Sequence, residues 1–413
     1  MKLTARNFIM LALLSFGTAN AQFSDDPLNA AFETKDADNF WKAFDKMESS
    51  KENPFTDYIS NGSPGVKAFI KHRIINADSL YSTVKKNKEE YLKSRNTLHG
   101  INSIEKKLKA SYSALKYWYP QAKFPTVYFV YGRMNTGGNS SNDGISIGTE
   151  LFKNLDGVVG LIAHEMIHFQ QNNNGRNSLL KQAVTEGGAD FIGEFISGEP
   201  MNVKAFQYGN ANSDRLCKEF VTRYKNEDFS DWFYWTSKKD DRPNDLGYWI
   251  GYKICEAYFN KQADKHKAIH DILNIEDPFL FLKESEFLDS YIQQYAKEKN
   301  LKYEDFFSEF SGEPSEVIFI VNVPDKNDEV YITGNQKGLG NWSASSVKMD
   351  RKSDSERTIT LKIFLPAQLK FTKGNWDQEA DVKGVEKGNN ITINKIKSNK
   401  VSYKINNWFK NSN

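Results

Sequence analysis

Residues 163–170 read Ala-His-Glu-Met-Ile-His-Phe-Gln, and they continue an apolar run, Val158-Val159-Gly160-Leu161-Ile162-Ala163. His164 and His168 are four positions apart, which on an α-helix puts both imidazoles on one face. Two histidines and a glutamate within an apolar helix are costly unless they share a function. One ion gripped by both imidazoles provides it. Glu165, next to the first ligand, is then placed to take a proton from water on that ion. A catalytic zinc takes three protein ligands and keeps one position open. The chain must therefore fold so that a further ligand meets this helix. Thr185-Glu186-Gly187-Gly188-Ala189-Asp190-Phe191-Ile192 offers Glu186 on a second helix, with Asp190 one turn later on the same face. Asp190 can accept a hydrogen bond from the distal nitrogen of a ligand histidine, His164 by preference, and fix its tautomer. The alternative for Glu186 and Asp190 is a solvated helix face. The two glycines suit a closely packed helix.

At 413 residues, 39% apolar and 14% aromatic, the chain is long enough for two or three domains with a sizeable core. A net charge of +2 and the lack of a basic block argue against nucleic acid or an anionic membrane surface as partner. Lys2 and Arg6, the apolar run 8–16 and Ala19-Asn20-Ala21 form a signal-peptide pattern over residues 1–21, so export is expected, to the periplasm, cell surface or medium. The alternative, an anchor helix, is disfavoured by the shortness of the run. No cysteine follows the cleavage site, and no later segment reaches membrane-spanning length. Cys217 and Cys255 read as two buried thiols, with a single disulfide as the alternative.

Residues 22–120 read as mostly helical, with Phe40, Trp41, Phe44 and Met47 at helical spacing and a second pattern over 101–118 that Pro120 stops. A β-branched and aromatic run at 126–131 reads as a strand, 132–144 as a Gly/Asn-rich loop and 145–148 as a short strand. Helical patterns resume over 158–295. Beyond Ser311-Gly312-Glu313-Pro314 come alternating runs at 317–323, 329–333, 358–365, 369–372, 391–396 and 401–405. These predict an all-β, immunoglobulin-like sandwich. The expected organisation is a catalytic domain over 22–313 and a sandwich over 314–413.

His-Glu-x-x-His followed by Glu-x-x-x-Asp on the next helix resembles the gluzincin clan of zinc peptidases. Seventeen residues separate His168 from Glu186, close to that clan's gap. The resemblance implies His164, His168 and Glu186 as Zn2+ ligands and Glu165 as general base. Further segments, Tyr131-Gly132-Arg133-Met134-Asn135-Thr136-Gly137-Gly138, Glu186 to Phe191 and Pro243 to Tyr252, resemble a group of predicted zinc-dependent peptidases of exported bacterial proteins. The expected fold class is thus α+β: a mostly helical, zincin-like domain with a small sheet, then the sandwich. Leu339-Gly340-Asn341-Trp342 and Leu369-Lys370-Phe371-Thr372-Lys373-Gly374-Asn375-Trp376 resemble a starch-binding module. That resemblance implies Trp342 and Trp376 as stacking platforms for an α-glucan or other glycan, with Lys370 as a polar contact. The family's additional tryptophan before the middle strand is absent here, where Arg357-Thr358 stands.

Peptide hydrolysis needs a donor for the developing oxyanion. Tyr248 and Tyr252 are the candidates, with core packing as the alternative for both. The strand and loop before the His164 helix can bind an extended peptide. Gly137, Gly138 and Gly148 would permit close approach, and Arg133 or Asn135 would contact polar groups. The leading expectation is a peptidase acting on a peptide or protein substrate. The alternatives are a glycan-binding surface protein with a structural zinc, or a zinc amidase acting on another amide.

Overall fold

A computed structural model describes residues 23–173, 177–234, 241–308, 314–396 and 398–409. The expected leader, 1–21, and the expected boundary near 313 lie outside the described residues. No helix among the described residues is long and apolar enough to cross a membrane. The fold is α+β, mostly helical before residue 308 and all-β after 314.

The first region is held on a small sheet of strands β1 (Phe32–Glu33), β2 (Val127–Val130), β3 (Gly138–Ser141) and β4 (Gly144–Gly148), in the order β1-β2-β4-β3. The first three neighbours run parallel, and β3 returns antiparallel to β4. β1 and β3 are additions to the strands expected from the sequence. β3 lies within the stretch read as a loop. Helix α1 (Lys35–Asp45) is locked to the end of β2 by aromatic packing. The Phe40 ring stacks on Tyr131 at 4.2 Å, and the Trp41 indole N–H donates to the Tyr131 hydroxyl at 3.1 Å. Helix α2 (Ile101–Trp118) buries Ile104, Leu108, Tyr112 and Leu115 along one stripe.

Helices α3 (Val158–Gln170), α4 (Leu179–Ser197) and α5 (Leu246–Lys261) form the centre of the region. α3 starts after Gly157, whose φ of 74° suits glycine. In α4 the Ser178 side chain accepts from the Lys181 amide, and the helix ends at Gly198 with φ 71°. α4 and α5 cross almost backbone to backbone. A Cβ on Gly251 would sit 1.7 Å from the Ala183 carbonyl oxygen, and one on Gly187 would sit 2.1 Å from the Tyr252 nitrogen. Cys217 and Cys255 are free and buried.

One acidic group is buried beneath the loop that leads into β3. Glu150 Oε1 accepts from the amides of Gly132 at 3.0 Å and Met134 at 3.1 Å. Its other oxygen is buried without a partner. Burial raises its pKa to about 7, and the two amides offset only part of that rise.

After 314, two sheets face each other across Val317, Phe319, Val321, Ile332, Leu369 and Phe371. One sheet has the order β12-β10-β6-β7 and the other β11-β13-β5-β9-β8. The strands are β5 (Ser315–Asn322), β6 (Tyr331–Gly334), β7 (Val347–Lys348), β8 (Asp350–Arg351), β9 (Glu356–Ile363), β10 (Ala367–Thr372), β11 (Ala380–Val382), β12 (Ile391–Ile393) and β13 (Lys400–Trp408). β13 lies parallel to β5, and the other pairs are antiparallel. The sandwich agrees with the alternating pattern. β7, β8 and β11 are additional, and β12 stops at Ile393, short of the expected 396.

Gly251→Ala should destabilise the fold by about 1–3 kcal/mol or more, because a helix backbone must move aside. Thermal unfolding reads this as a lower Tm, and an unchanged Tm would refute the tight crossing. Glu150 has a folded pKa above its ordinary 4.5, so the fold binds the extra proton. Its contribution is fully present below about 4.5 and is lost as pH rises through about 7. Glu150→Gln should therefore gain on the wild type by on the order of 1–3 kcal/mol across that window. Denaturant unfolding at several pH values checks this, and a wild-type-to-variant difference that stays flat with pH would rule it out.

Candidate metal centre and substrate cleft

His164 and His168 lie on one face of α3, and α4 carries Glu186 up against them. The rings of the two histidines meet edge to face with centroids 4.5 Å apart. Glu186 Oε2 is 3.1 Å from His168 Nε2 and 3.6 Å from His164 Nε2. One ligand atom from each of the three residues falls within 4.8 Å of the others. Zinc with bonds of about 2.1 Å holds tetrahedral neighbours about 3.4 Å apart, so the spacing suits that ion.

The far side of each imidazole is occupied. His164 Nδ1 lies 2.7 Å from Asp190 Oδ1, and His168 Nδ1 lies 2.7 Å from Gln171 Oε1. Both acceptors call for a proton on Nδ1, which leaves each Nε2 lone pair aimed at the Glu186 carboxylate. Lone pairs and an anion this close require a proton or a cation between them. The pKa shifts express the same demand. Burial opposes protonation of His164, but hydrogen bonds to Asp190 and Glu186 outweigh it and raise its pKa to about 10. His168 is raised against burial mainly by the Glu186 charge. Burial pushes Glu186 up, yet the two imidazoles hold it well below the usual carboxylate range. Two nitrogens and one carboxylate oxygen form a donor set that zinc accepts.

The supporting contacts continue outward. Asn202 Nδ2 donates to Asp190 Oδ2 at 2.8 Å. Gln171 Nε2 donates to the Thr185 carbonyl at 2.8 Å, and Gln182 Nε2 donates to Glu186 Oε1 at 2.9 Å. Gln182 Nε2 also donates to the Tyr234 hydroxyl at 3.1 Å, and the Tyr234 amide donates to Asp245 Oδ1 at 2.8 Å. None of Gln171, Gln182, Asn202 and Tyr234 was expected from the sequence. Gln182 alone carried a signal, since it stands one helical turn before Glu186.

A cleft of about 470 Å³ opens over His164, His168 and Glu186, with Glu165 in its wall. Glu165 is buried, and burial raises its pKa. β3, at the edge of the sheet, lines the cleft beside Glu165. A Cβ on Gly138 would lie 2.5 Å from Glu165 Oε1, so only glycine lets the strand come this close. Gly137 also lines the cleft. Gly148 instead serves the sheet, where a Cβ would lie 2.3 Å from the Thr136 carbonyl oxygen.

The two tyrosines of α5 fall on different sides of the helix crossing. Tyr248 lines the cleft, its ring 6.0 Å from that of His164. Burial and the Glu186 charge keep its phenol protonated. Tyr252 does not line the cleft. One turn further along α5, it packs edge-on against Phe191 and Phe206. Arg133 and Asn135 also differ from expectation. Arg133 Nε donates to the Arg73 carbonyl at 3.0 Å, and Asn135 Nδ2 to the His72 carbonyl at 3.5 Å. They latch a turn in place and do not line the cleft.

In the sandwich, Trp376 is exposed on a short helical turn after β10. Trp342 is half-buried, with its amide donating to the Gly334 carbonyl at 2.8 Å. The loops bearing the two are joined by a bond from Thr372 Oγ1 to the Ala344 carbonyl. The Lys370 ammonium donates to Glu379 at 2.7 Å and to the Gly388 carbonyl at 3.1 Å.

No curated protein matches the chain. Two family models do match, and they divide the chain where its architecture changes. Residues 131–277, which hold the histidine cluster and the cleft, match the family described as a predicted Zn-dependent protease, DUF2268. Residues 314–405, which form the sandwich, match the starch binding domain family CBM_20.

Proposed function

We propose that the chain is an exported zinc metallopeptidase, directed to glycan by its C-terminal sandwich. The observation that carries this reading is the convergence of His164, His168 and Glu186 beside a buried Glu165, under an open strand edge. His164, His168 and Glu186 hold Zn2+, with Asp190 and Gln171 fixing the imidazole tautomers. Bound there, zinc supplies a Lewis acid for the scissile carbonyl and makes water a stronger acid.

The remaining steps belong to the chain's own residues. The β3 edge holds an extended peptide by backbone hydrogen bonds. Glu165, its pKa raised by burial, takes the proton of the attacking water and delivers it to the leaving amine. The Tyr248 phenol donates a hydrogen bond to the developing oxyanion. Trp342 and Trp376 offer apolar faces to sugar rings of an α-glucan or a related glycan. The Zn-dependent protease family match supports hydrolysis over a purely structural zinc, and so does Glu165, which a structural site does not need.

Metal analysis of the mature protein, run beside digestion of a mixed peptide library, tests the reading. About one zinc per chain is expected, as the one cluster of three donors among the described residues implies. Glu165→Gln should keep the zinc and lower cleavage by about 10²–10⁴-fold or more, whereas His168→Ala should lose both. Asp190→Asn should weaken zinc binding by about 10–100-fold. Full activity in Glu165→Gln would remove it as the base. Zinc without any cleavage would move the substrate to a different amide.

A further inference from the structure

One cation in the cleft has no partner. Arg73 lines the cleft together with Thr136, Gly137 and Glu165. It is half-buried, and among the described residues its guanidinium makes no hydrogen bond or ion pair. Its charge reaches both Glu165 and Tyr234, which line the same cleft, and acts to lower the pKa of each. It forms no ion pair with Glu165, so it is not there to neutralise the base. A half-buried arginine that lines a cleft and whose guanidinium has no protein acceptor keeps its donors available to a ligand.

The backbone around Arg73 is unusually constrained. Residues Ile70–Ile74 form one turn of π-helix, closed by the Ile75 amide donating to the Ile70 carbonyl at 2.6 Å. Ile75, β-branched, stands at φ 71°, a conformation such residues rarely adopt. Arg133 and Asn135 hold the carbonyls of Arg73 and His72 from the loop before β3. Single π-turns and strained residues of this kind persist where surrounding contacts enforce them, often at functional sites. Here they hold Arg73 beside the strand on which the substrate lies.

We infer that Arg73 recognises a carboxylate on the substrate, so that the cleft selects peptides bearing one. This rests on the peptidase reading. The planar fork of arginine pairs with a carboxylate through two parallel N–H···O bonds. Glu165, Glu186 and Asp245 line the same cleft, so a singly charged carboxylate is accepted more readily than a doubly charged phosphoryl group. The carboxylate comes from an acidic side chain or from the peptide's own C-terminus, and matched peptides separate these two sources.

The test uses the full mature chain carrying Glu165→Gln, which binds without turnover. Binding is measured for peptide pairs differing in one group: Asp or Glu against Asn or Gln, and a free C-terminus against its carboxamide. One kind of carboxylate should bind about tenfold or more tighter than its amide. With Arg73→Met added, that ratio should fall to near one, and Arg73→Lys should restore part of it. Circular dichroism and zinc content establish that each variant is folded. The same pairs are offered to the Glu165-intact protein for hydrolysis. Equal binding within every pair, or a preference that survives Arg73→Met, overturns the inference. An equal loss of hydrolysis for charged and neutral peptides, without a change in the binding ratio, also overturns it by assigning Arg73 to the oxyanion. Carboxylate-selective binding without hydrolysis would instead defeat the peptidase reading and leave Arg73's role standing.

Discussion

The near-contact of two helix backbones at Gly187 and Gly251 organises the helical region around the histidine cluster. No side chain fits between α4 and α5 at that point. On its other side α4 comes close to α3 at Gly193, where a Cβ would lie 3.2 Å from the His164 nitrogen, and Glu186 stands level with His164 and His168. The two tyrosines of α5 fall on either side of the Gly251 contact. Tyr248 precedes the contact and reaches the metal centre, while Tyr252 follows it and joins the ring cluster behind. A second glycine contact, Gly138 against Glu165, sets the height of β3 over the same point. Two places where a methyl group is forbidden thus set how closely helices and strand pack around the cleft.

The centre concentrates charge where water is scarce. His164, Glu165 and Asp190 are buried, and the first of these carries a pKa of about 10. Such a cluster is stabilised only if each group finds a partner. The partners extend through Asp190, Asn202, Gln171 and Gln182: His164 is held from behind by Asp190 of the next helix, while His168 and Glu186 are held by Gln171 and Gln182, each one turn away along the chain. This shell fixes ring orientation, which a metal site needs more than it needs raw affinity.

The pair of helices α3 and α4 was legible because histidine spacing and glycine placement act within single elements. β2 and β4 were legible for a similar reason, as runs of β-branched and aromatic residues. β3 was not, because Gly138-Asn139-Ser140-Ser141 has neither alternation nor propensity and is a strand only through its pairing with β4. β7, β8 and β11 escaped because they span two or three residues each. Gln171, Asn202, Tyr234 and Arg73 come from separate stretches that only the tertiary fold brings together, and no spacing rule links them. The resemblance to a starch-binding module points to Trp342 and Trp376, which the fold places on neighbouring segments joined by the Thr372–Ala344 bond. It did not foresee that Glu379 would engage Lys370.

β3 offers its free edge for only four residues. An open strand edge invites pairing with the edge of another copy, and long, flat, apolar edges are the ones that lead to aggregation. This edge is short, small and polar, and it lies inside a cleft. Another folded chain would need a protruding strand to reach it. A narrow extended segment can reach such an edge where the broad face of a folded domain cannot.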